Sequence, residues 1–256
     1  MLIDLSKAFD SVPHQLLVQE LMGVGCGRDA CEWFGSYLSR REQRVLQGNG
    51  CAQWKAVTKG VPQGSCLSPL LFNLFVRELP SSSSLDTFQF ADDITSSAAD
   101  KDLTVVASLL TTSFEQIREY CEGRHLSINE AKTQLIVFKT PGRRLPDNFE
   151  ITLGNTTIKP LSSVKILGVS LDQHLTMGRK CNGLIGSLSR AAPYLSHQLL
   201  RMAYISLVRT HLEYCSALLH PAARTHLTKL DIVQKKAALW GSPHHPCRPS
   251  ARILEA

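Results

Sequence analysis

The sequence predicts an α+β fold over residues 1–172, followed by a mostly α-helical region over residues 173–256. Three observations carry that prediction. Short apolar segments in the first part alternate with helical stretches, and two of them flank Ala91-Asp92-Asp93. The stretch 101–125 spaces its apolar residues at the helical period. After residue 173 the apolar spacing turns helical.

Each element follows in order. Met1-Leu-Ile-Asp4 reads as the end of a buried strand. Pro13 opens a helix with Leu16, Leu17, Leu21 and Met22 on one face. A second helix covers residues 29–38, where Ala30, Trp33, Phe34 and Tyr37 keep the helical period. Residues 44–47 and 52–57 read as short strands. Residues 64–79 are apolar and helical in character, and Pro80 stops them. Residues 87–90 and 94–96 form a tight hairpin around the aspartate pair. In the helix over 101–125, Val105, Leu109, Phe114, Ile117 and Tyr120 supply the apolar stripe. A strand follows at 134–138, then a hairpin at 151–158 with Gly154-Asn155 as its two-residue turn. Residues 165–171 read as another strand, and helices as 180–192, 196–219 and 222–239.

Composition narrows the class. A chain with 43% hydrophobic and 20% charged residues is not intrinsically disordered. No apolar run approaches the ~18–20 residues of a membrane span, and no secretory signal pattern opens the chain. Eight scattered cysteines without a C-x-x-C pair point to reduced, structural thiols. The expectation is an intracellular protein, nuclear or cytoplasmic. Residues 173–256 hold 11 Lys or Arg against 3 Asp or Glu, whereas residues 1–172 hold 17 against 19. A slightly acidic body with a basic tail suits a polyanionic partner.

Chemistry concentrates at Asp4 and the pair Asp92-Asp93. Adjacent carboxylates repel unless cations or water neutralise them. Mg²⁺ takes oxygen ligands from one or two carboxylates and leaves room for phosphates. Two such ions about 3.5–4 Å apart activate a hydroxyl nucleophile and steady the departing oxygens. That chemistry needs acidic residues on neighbouring strands at one sheet edge.

Five motifs in order extend the pattern. Asp4-Leu-Ser-Lys-Ala-Phe-Asp-Ser-Val-Pro-His14 resembles the first palm motif of reverse transcriptases from non-LTR (LINE-type) retrotransposons. Gly60-Val-Pro-Gln-Gly-Ser-Cys-Leu-Ser-Pro-Leu-Leu-Phe-Asn73 resembles the second, and Phe90-Ala-Asp-Asp-Ile94 the third. Leu126-Ser-Ile-Asn-Glu-Ala-Lys-Thr133 and Ile166-Leu-Gly-Val-Ser-Leu-Asp172 are similar to the fourth and fifth. Trp33-Phe-Gly-Ser-Tyr-Leu-Ser-Arg40 and Gln43 fit the stretch between the first two motifs. Tyr214-Cys-Ser-Ala217 and Leu230-Asp-Ile-Val-Gln-Lys235 resemble the helical region after the palm.

The resemblance implies an RNA-directed DNA polymerase with a palm, a small mainly antiparallel sheet backed by helices, over residues 1–172. A helical thumb-like region with a disordered C-terminal tail would cover 173–256. Asp4 and Asp92 would be the main ligands of two Mg²⁺ ions, with Mn²⁺ as the alternative. Asp93 would lie beside them, with the Leu5 carbonyl as an extra ligand. Phe9 would sit under the incoming sugar and exclude a 2′-hydroxyl. Gln63 and Gly64 would line the nucleotide pocket. Lys132 would lie near the departing pyrophosphate as a proton donor or a charge. Leu167 and Gly168 would grip the primer end. The implied partners are an RNA template, a DNA primer and dNTPs.

Plainer readings apply to neighbouring residues. Asp10 reads as a capping or salt-bridge residue, and Lys7 as surface. Gly23-Val-Gly-Cys-Gly27 misses the spacing of a dinucleotide loop and follows a helix. His244, His245 and Cys247 are too close together to wrap one tetrahedral ion, so they belong to the tail. Only three residues precede Asp4, so the resemblance also implies a palm cut short, without fingers or endonuclease. Such a chain is expected to be weak or inactive as a polymerase by itself, because positioning supplies most of the rate in phosphoryl transfer. The alternative is a catalytically dead remnant that acts at most as a nucleic-acid-binding module. A metal-dependent nuclease would need no sugar gate, so Phe9 and Gln63 argue against it.

Overall fold

The computed structural model describes residues 1–48, 50–83, 85–140, 142–146, 148–154, 156–175, 179–210, 214 and 235. Its first element is strand β1 (Leu2–Ser6), where Ile3 and Leu5 are buried and Leu2, Asp4 and Ser6 lie on the other face. The strand runs two residues past Asp4, so the carboxylate sits mid-strand rather than at its end. Lys7, exposed and left-handed at φ +49°, turns the chain into the one-turn helix α1 (Ala8–Ser11).

Helix α2 (His14–Gly23) follows Pro13 and buries Leu17 and Leu21, four residues apart. Met22, expected on the same face, is 56% exposed, because one further residue rotates the side chain by about 100°. Helix α3 (Arg28–Leu38) buries Cys31 and Leu38, seven residues apart, and turns Trp33 outward at 54% exposure. The two strands expected next are instead four: β2 (Arg41–Gln43), β3 (Leu46–Gln47), β4 (Gly50–Cys51) and β5 (Lys55–Val57). β2 pairs with β5, and β3 with β4, as two successive antiparallel ladders. Neither ladder buries a face, so no apolar alternation marked their bounds in the sequence.

Helix α4 (Ser68–Phe75) is shorter than expected. Gly64 is left-handed at φ +84°, and Ser68 Oγ donates to the Pro62 carbonyl at 2.5 Å, so residues 62–67 form a loop. Strands β6 (Asp86–Phe90) and β7 (Asp93–Ser97) make the expected hairpin. Helix α5 (Leu103–Gly123) is capped by Asp102, whose carboxylate accepts from the Thr104 amide at 2.8 Å. Its buried residues are Leu110, Ser113, Phe114, Ile117 and Cys121, so Val105 lies off the expected stripe. Arg124, just past the helix end, donates to Glu20 at 2.9 Å and to the Phe75 carbonyl at 2.7 Å. That one side chain ties α2, α4 and α5 together.

Strand β8 (Ser127–Ile128) leads into a 3₁₀ turn at Glu130–Lys132. The strand expected over 134–138 does not form. Gln134 bridges to Leu2 and Leu135 to Pro160, so successive residues take different partners. Strands β9 (Ile151–Leu153) and β10 (Thr156–Ile158) form the expected hairpin, although Asn155 of its turn lies outside the described residues. The expected strand over 165–171 is a second hairpin, β11 (Ser163–Ile166) and β12 (Val169–Asp172). Leu167 at φ +46° and Gly168 at φ +86° reverse the chain between them, as a primed two-residue turn requires. Helix α6 (Arg179–Ala191) matches the expectation for 180–192. Helix α7 (His197–Tyr204) continues as a π-helical turn over Ile205–Arg209. The remainder of the expected helix 196–219, apart from Thr210 and Tyr214, lies outside the described residues. So do the helix 222–239, apart from Lys235, and the tail with His244, His245 and Cys247.

The principal sheet has the order β6-β7-β1-β8, with antiparallel neighbours throughout. The result is the expected mixture of small antiparallel sheets and helices. Ile3, Leu5 and Ile94 of that sheet join Phe72, Phe75, Phe114 and Ile117 in one apolar core. Burying each such side chain contributes about 1.5–3 kcal/mol. The chain divides into two units, Met1–Leu135 with Leu145–Leu161, and Ile136–Arg144 with Ser162–Ala256. Among the described residues, no helix is long and apolar enough to cross a membrane.

Candidate active site

The register of β1 against β7 builds the site. Asp4 is the direct partner of Asp93, Ile3 of Ile94, and Leu2 of Thr95. Ile3 and Ile94 are buried, so Asp4 and Asp93 share the opposite face of the sheet. Asp92 stands next to Asp93 in the turn between β6 and β7, whose other turn residue, Ala91, is left-handed at φ +53°. Such a backbone costs a residue with a Cβ about 1–2 kcal/mol. Part of its support comes from Gln89, whose amide donates to the Ala91 carbonyl at 3.1 Å.

Electrostatics report the crowding. Desolvation, then the Asp92 charge, then the Asp4 charge push the Asp93 carboxyl above its ordinary value. Lys132 approaches from the other side of β1, its Nζ 3.8 Å from Asp4 Oδ2. The 3₁₀ turn holds it there. The Asn129 amide donates to the Asp4 carbonyl at 2.8 Å, which fixes the start of that turn against β1. Leu5 pairs with Ile128 in the same sheet and keeps its side chain in the core. Beside Asp4 opens a cavity of about 790 Å³, lined in part by Lys132, Glu130, Glu150, Thr156 and Lys159.

The first two motifs are joined backbone to backbone. The Val61 amide donates to the Phe9 carbonyl at 2.8 Å, and the Gly60 amide to the Val12 carbonyl at 2.7 Å. His14 Nε2 lies 2.8 Å from the Gly60 carbonyl oxygen. A Cβ on Gly60 would lie 2.8 Å from Asp10 Cα, and its φ is +92°. Only glycine fits there. Phe9 is half-buried and stacks on Phe72, with centroids 4.5 Å apart. Gln63 Nε2 donates to Asp10 Oδ1 at 3.0 Å. Asp10 therefore serves neither as a helix cap nor in an ion pair seen among the described residues. It holds the glutamine of the second motif. Gly64 has open space around its Cβ position.

Leu167 and Gly168 form the turn of the β11–β12 hairpin in the second unit. The Tyr214 hydroxyl donates to the Leu167 carbonyl at 3.1 Å. Sequence reasoning named Gly60 and His14 only within their motifs, and passed over their contacts and the Tyr37–Ser65 hydrogen bond of 2.7 Å. Each has its partner between 28 and 50 residues away, and no local pattern announces such a contact.

A family model described as reverse transcriptase (RNA-dependent DNA polymerase) matches residues 1–171. The chain belongs to the reverse transcriptase family. Its similarity to the RNA-directed DNA polymerase from mobile element jockey of Drosophila funebris is 26% identity, over 91% of this chain and 27% of that protein. It is 28% identical to the retrovirus-related Pol polyprotein from type-1 retrotransposable element R2 of Popillia japonica, over 66% of this chain and 30% of that one. The chain thus spans less than a third of the length of these relatives. Among solved structures, telomerase from Candida albicans, in complex with a fragment of telomeric RNA, gives a TM-score of 0.46 at 12% identity, covering 94% of this chain and 44% of that chain.

Reverse transcriptases use divalent metal ions. Asp4, Asp92 and Asp93 offer the hard oxygen donors such ions take, two of them on one sheet face. Among the described residues, no three His, Cys, Asp or Glu side chains converge to metal-binding distance. The donor chemistry fits the ion.

Proposed function

We propose that this chain carries the polymerase centre of a retrotransposon reverse transcriptase, joining dNTPs to the 3′-hydroxyl of a DNA primer on an RNA template. The observation that carries this reading is the direct pairing of Asp4 with Asp93, with Asp92 in the adjoining turn and Lys132 at 3.8 Å. Residues 1–172 are read as the palm and 173–256 as the thumb-like region.

Asp4 and Asp92, with Asp93 and the Leu5 carbonyl, are the residues that would hold two Mg²⁺ ions, with Mn²⁺ as the alternative. Those ions supply activation of the primer hydroxyl and neutralisation of phosphate charge. The chain's own residues do the positioning. Phe9, braced on Phe72, is the residue that would sit under the incoming sugar and exclude a 2′-hydroxyl. Gln63, steadied by Asp10, and Gly64 line the nucleotide pocket. Lys132 places a positive charge beside Asp4, where a departing pyrophosphate needs a counter-charge or a proton. The tight turn at Leu167-Gly168 is the primer-grip candidate. Cys26, Cys31, Cys51, Cys66 and Cys121 are free thiols, which supports a reducing, nuclear or cytoplasmic setting.

Primer extension tests the reading: purified chain, RNA template, DNA primer, dNTPs and Mg²⁺ or Mn²⁺, beside an Asp92→Ala control. Weak extension that disappears in the control is the expected result. Extension that survives Asp92→Ala, or strand shortening in place of extension, overturns it.

A further inference from the structure

Away from the carboxylates, α3 and the β2–β5 hairpin share an exposed run of aromatic rings and guanidinium groups. Trp33 stacks on Tyr37, with centroids 5.5 Å apart and planes 5° from parallel. Arg41 lies over the Tyr37 ring at 5.6 Å. Further along the hairpin, Arg44 lies over Trp54 at 4.5 Å. Trp33 is 54% and Trp54 57% exposed, although tryptophan is among the costliest side chains to leave in water. Residues 40–59 hold five Lys or Arg against one Glu, within a part of the chain that is otherwise acidic.

We propose that this surface binds a single-stranded stretch of nucleic acid, as a contact separate from the metal carboxylates. The uncovered face of an exposed indole stacks bases of any sequence, and guanidinium groups held over rings meet both bases and phosphates. The local positive charge favours a polyanion over a second copy of this chain, which would bring the same charge against it. The surface is continuous with the nucleotide-pocket loop, because the Tyr37 hydroxyl donates to Ser65 Oγ at 2.7 Å, next to Gln63 and Gly64. A strand lying across α3 and the hairpin would therefore be led towards that loop. The choice of an RNA template as the occupant rests on the polymerase reading above, whereas the surface itself does not.

The test is binding of a fluorescein-labelled oligouridine to the full chain, read by anisotropy across a salt series. Trp33→Ala and Trp54→Ala are each expected to weaken binding about fivefold or more. Trp54→Phe keeps a stacking ring and is expected to retain most of the affinity. Arg41→Gln with Arg44→Gln is expected to reduce the salt slope by about 1–2. Photocross-linking with 4-thiouridine RNA should map to residues 29–59. Unchanged affinity in every variant, or cross-links confined to other segments, overturns the proposal. So does a concentration-dependent dimer lost in the tryptophan variants while oligouridine binding stays intact. Asp92→Ala separates the two readings, since it should abolish extension and leave oligouridine binding unchanged. Binding at this surface with extension that survives Asp92→Ala would sink the polymerase reading alone. Extension with binding indifferent to the tryptophans would sink the surface alone.

Discussion

Asp4 and Asp93 face one another across β1 and β7 as direct partners in an antiparallel register. Like charges placed this way oppose strand pairing. The buried pair beneath, Ile3 with Ile94, offsets that repulsion by removing apolar surface from water. The sheet thus holds two carboxylates together at a cost to itself.

That cost is measurable. The Asp93 carboxyl is raised above its unfolded value, first by desolvation and then by Asp92 and Asp4. A group raised in the folded state contributes fully below its unfolded value, near 3.9, and that contribution is lost as pH rises through the folded value. Asp93→Asn should therefore raise the unfolding free energy at pH 7, with the gain closing on acidification below about pH 4. Urea melts at several pH values read this out, in metal-free buffer. A variant less stable than the wild type at pH 7 would contradict the assignment.

Gly60 and Gly64 are both left-handed, at φ +92° and +84°, but only Gly60 faces a wall. Gly60→Ala should destabilise by about 1–3 kcal/mol from overpacking against Asp10, added to the backbone strain. Gly64→Ala meets no neighbour and should lose only the strain, about 1–2 kcal/mol. Denaturant midpoints at constant slope compare the two. Equal losses would mean that the approach to Asp10 carries no energy.

Phe9 is the residue whose size should matter to the substrate. It lies half-buried on Phe72, and Phe9→Val shortens that side chain while keeping an apolar group against Phe72. Incorporation of rNTPs should rise about tenfold or more relative to dNTPs, the scale that a change of pocket size carries. Paired kcat/KM values for dNTP and rNTP on one primer-template check it. An unchanged ratio would remove Phe9 from the sugar pocket.

Much of the local structure was legible in the chain. The hairpin around Asp92 follows from two apolar runs either side of a turn, and α5 from its helical stripe. The misjudged pieces share a cause. The strand expected over 134–138 dissolves because Gln134 pairs with Leu2 and Leu135 with Pro160, a choice of distant partners. Residues 165–171 fold back because Leu167 adopts a left-handed backbone that its side chain does not advertise. Trp33 keeps the helical period and still points outward, since period alone does not say which neighbours arrive.

What the sequence determined by itself was the inventory: an acidic residue on an apolar strand, an aspartate pair at a turn, a glycine-bounded loop, and their order. Those depend on residues within a few positions of one another, where propensity and spacing decide. Only the tertiary structure decided that Asp93 stands opposite Asp4, that Lys132 reaches Asp4, and that Gln63 leans on Asp10. These are contacts between segments 53 to 128 residues apart in the chain, set by register and by which faces the core buries. Neither register nor buried face exists until the strands and helices have packed.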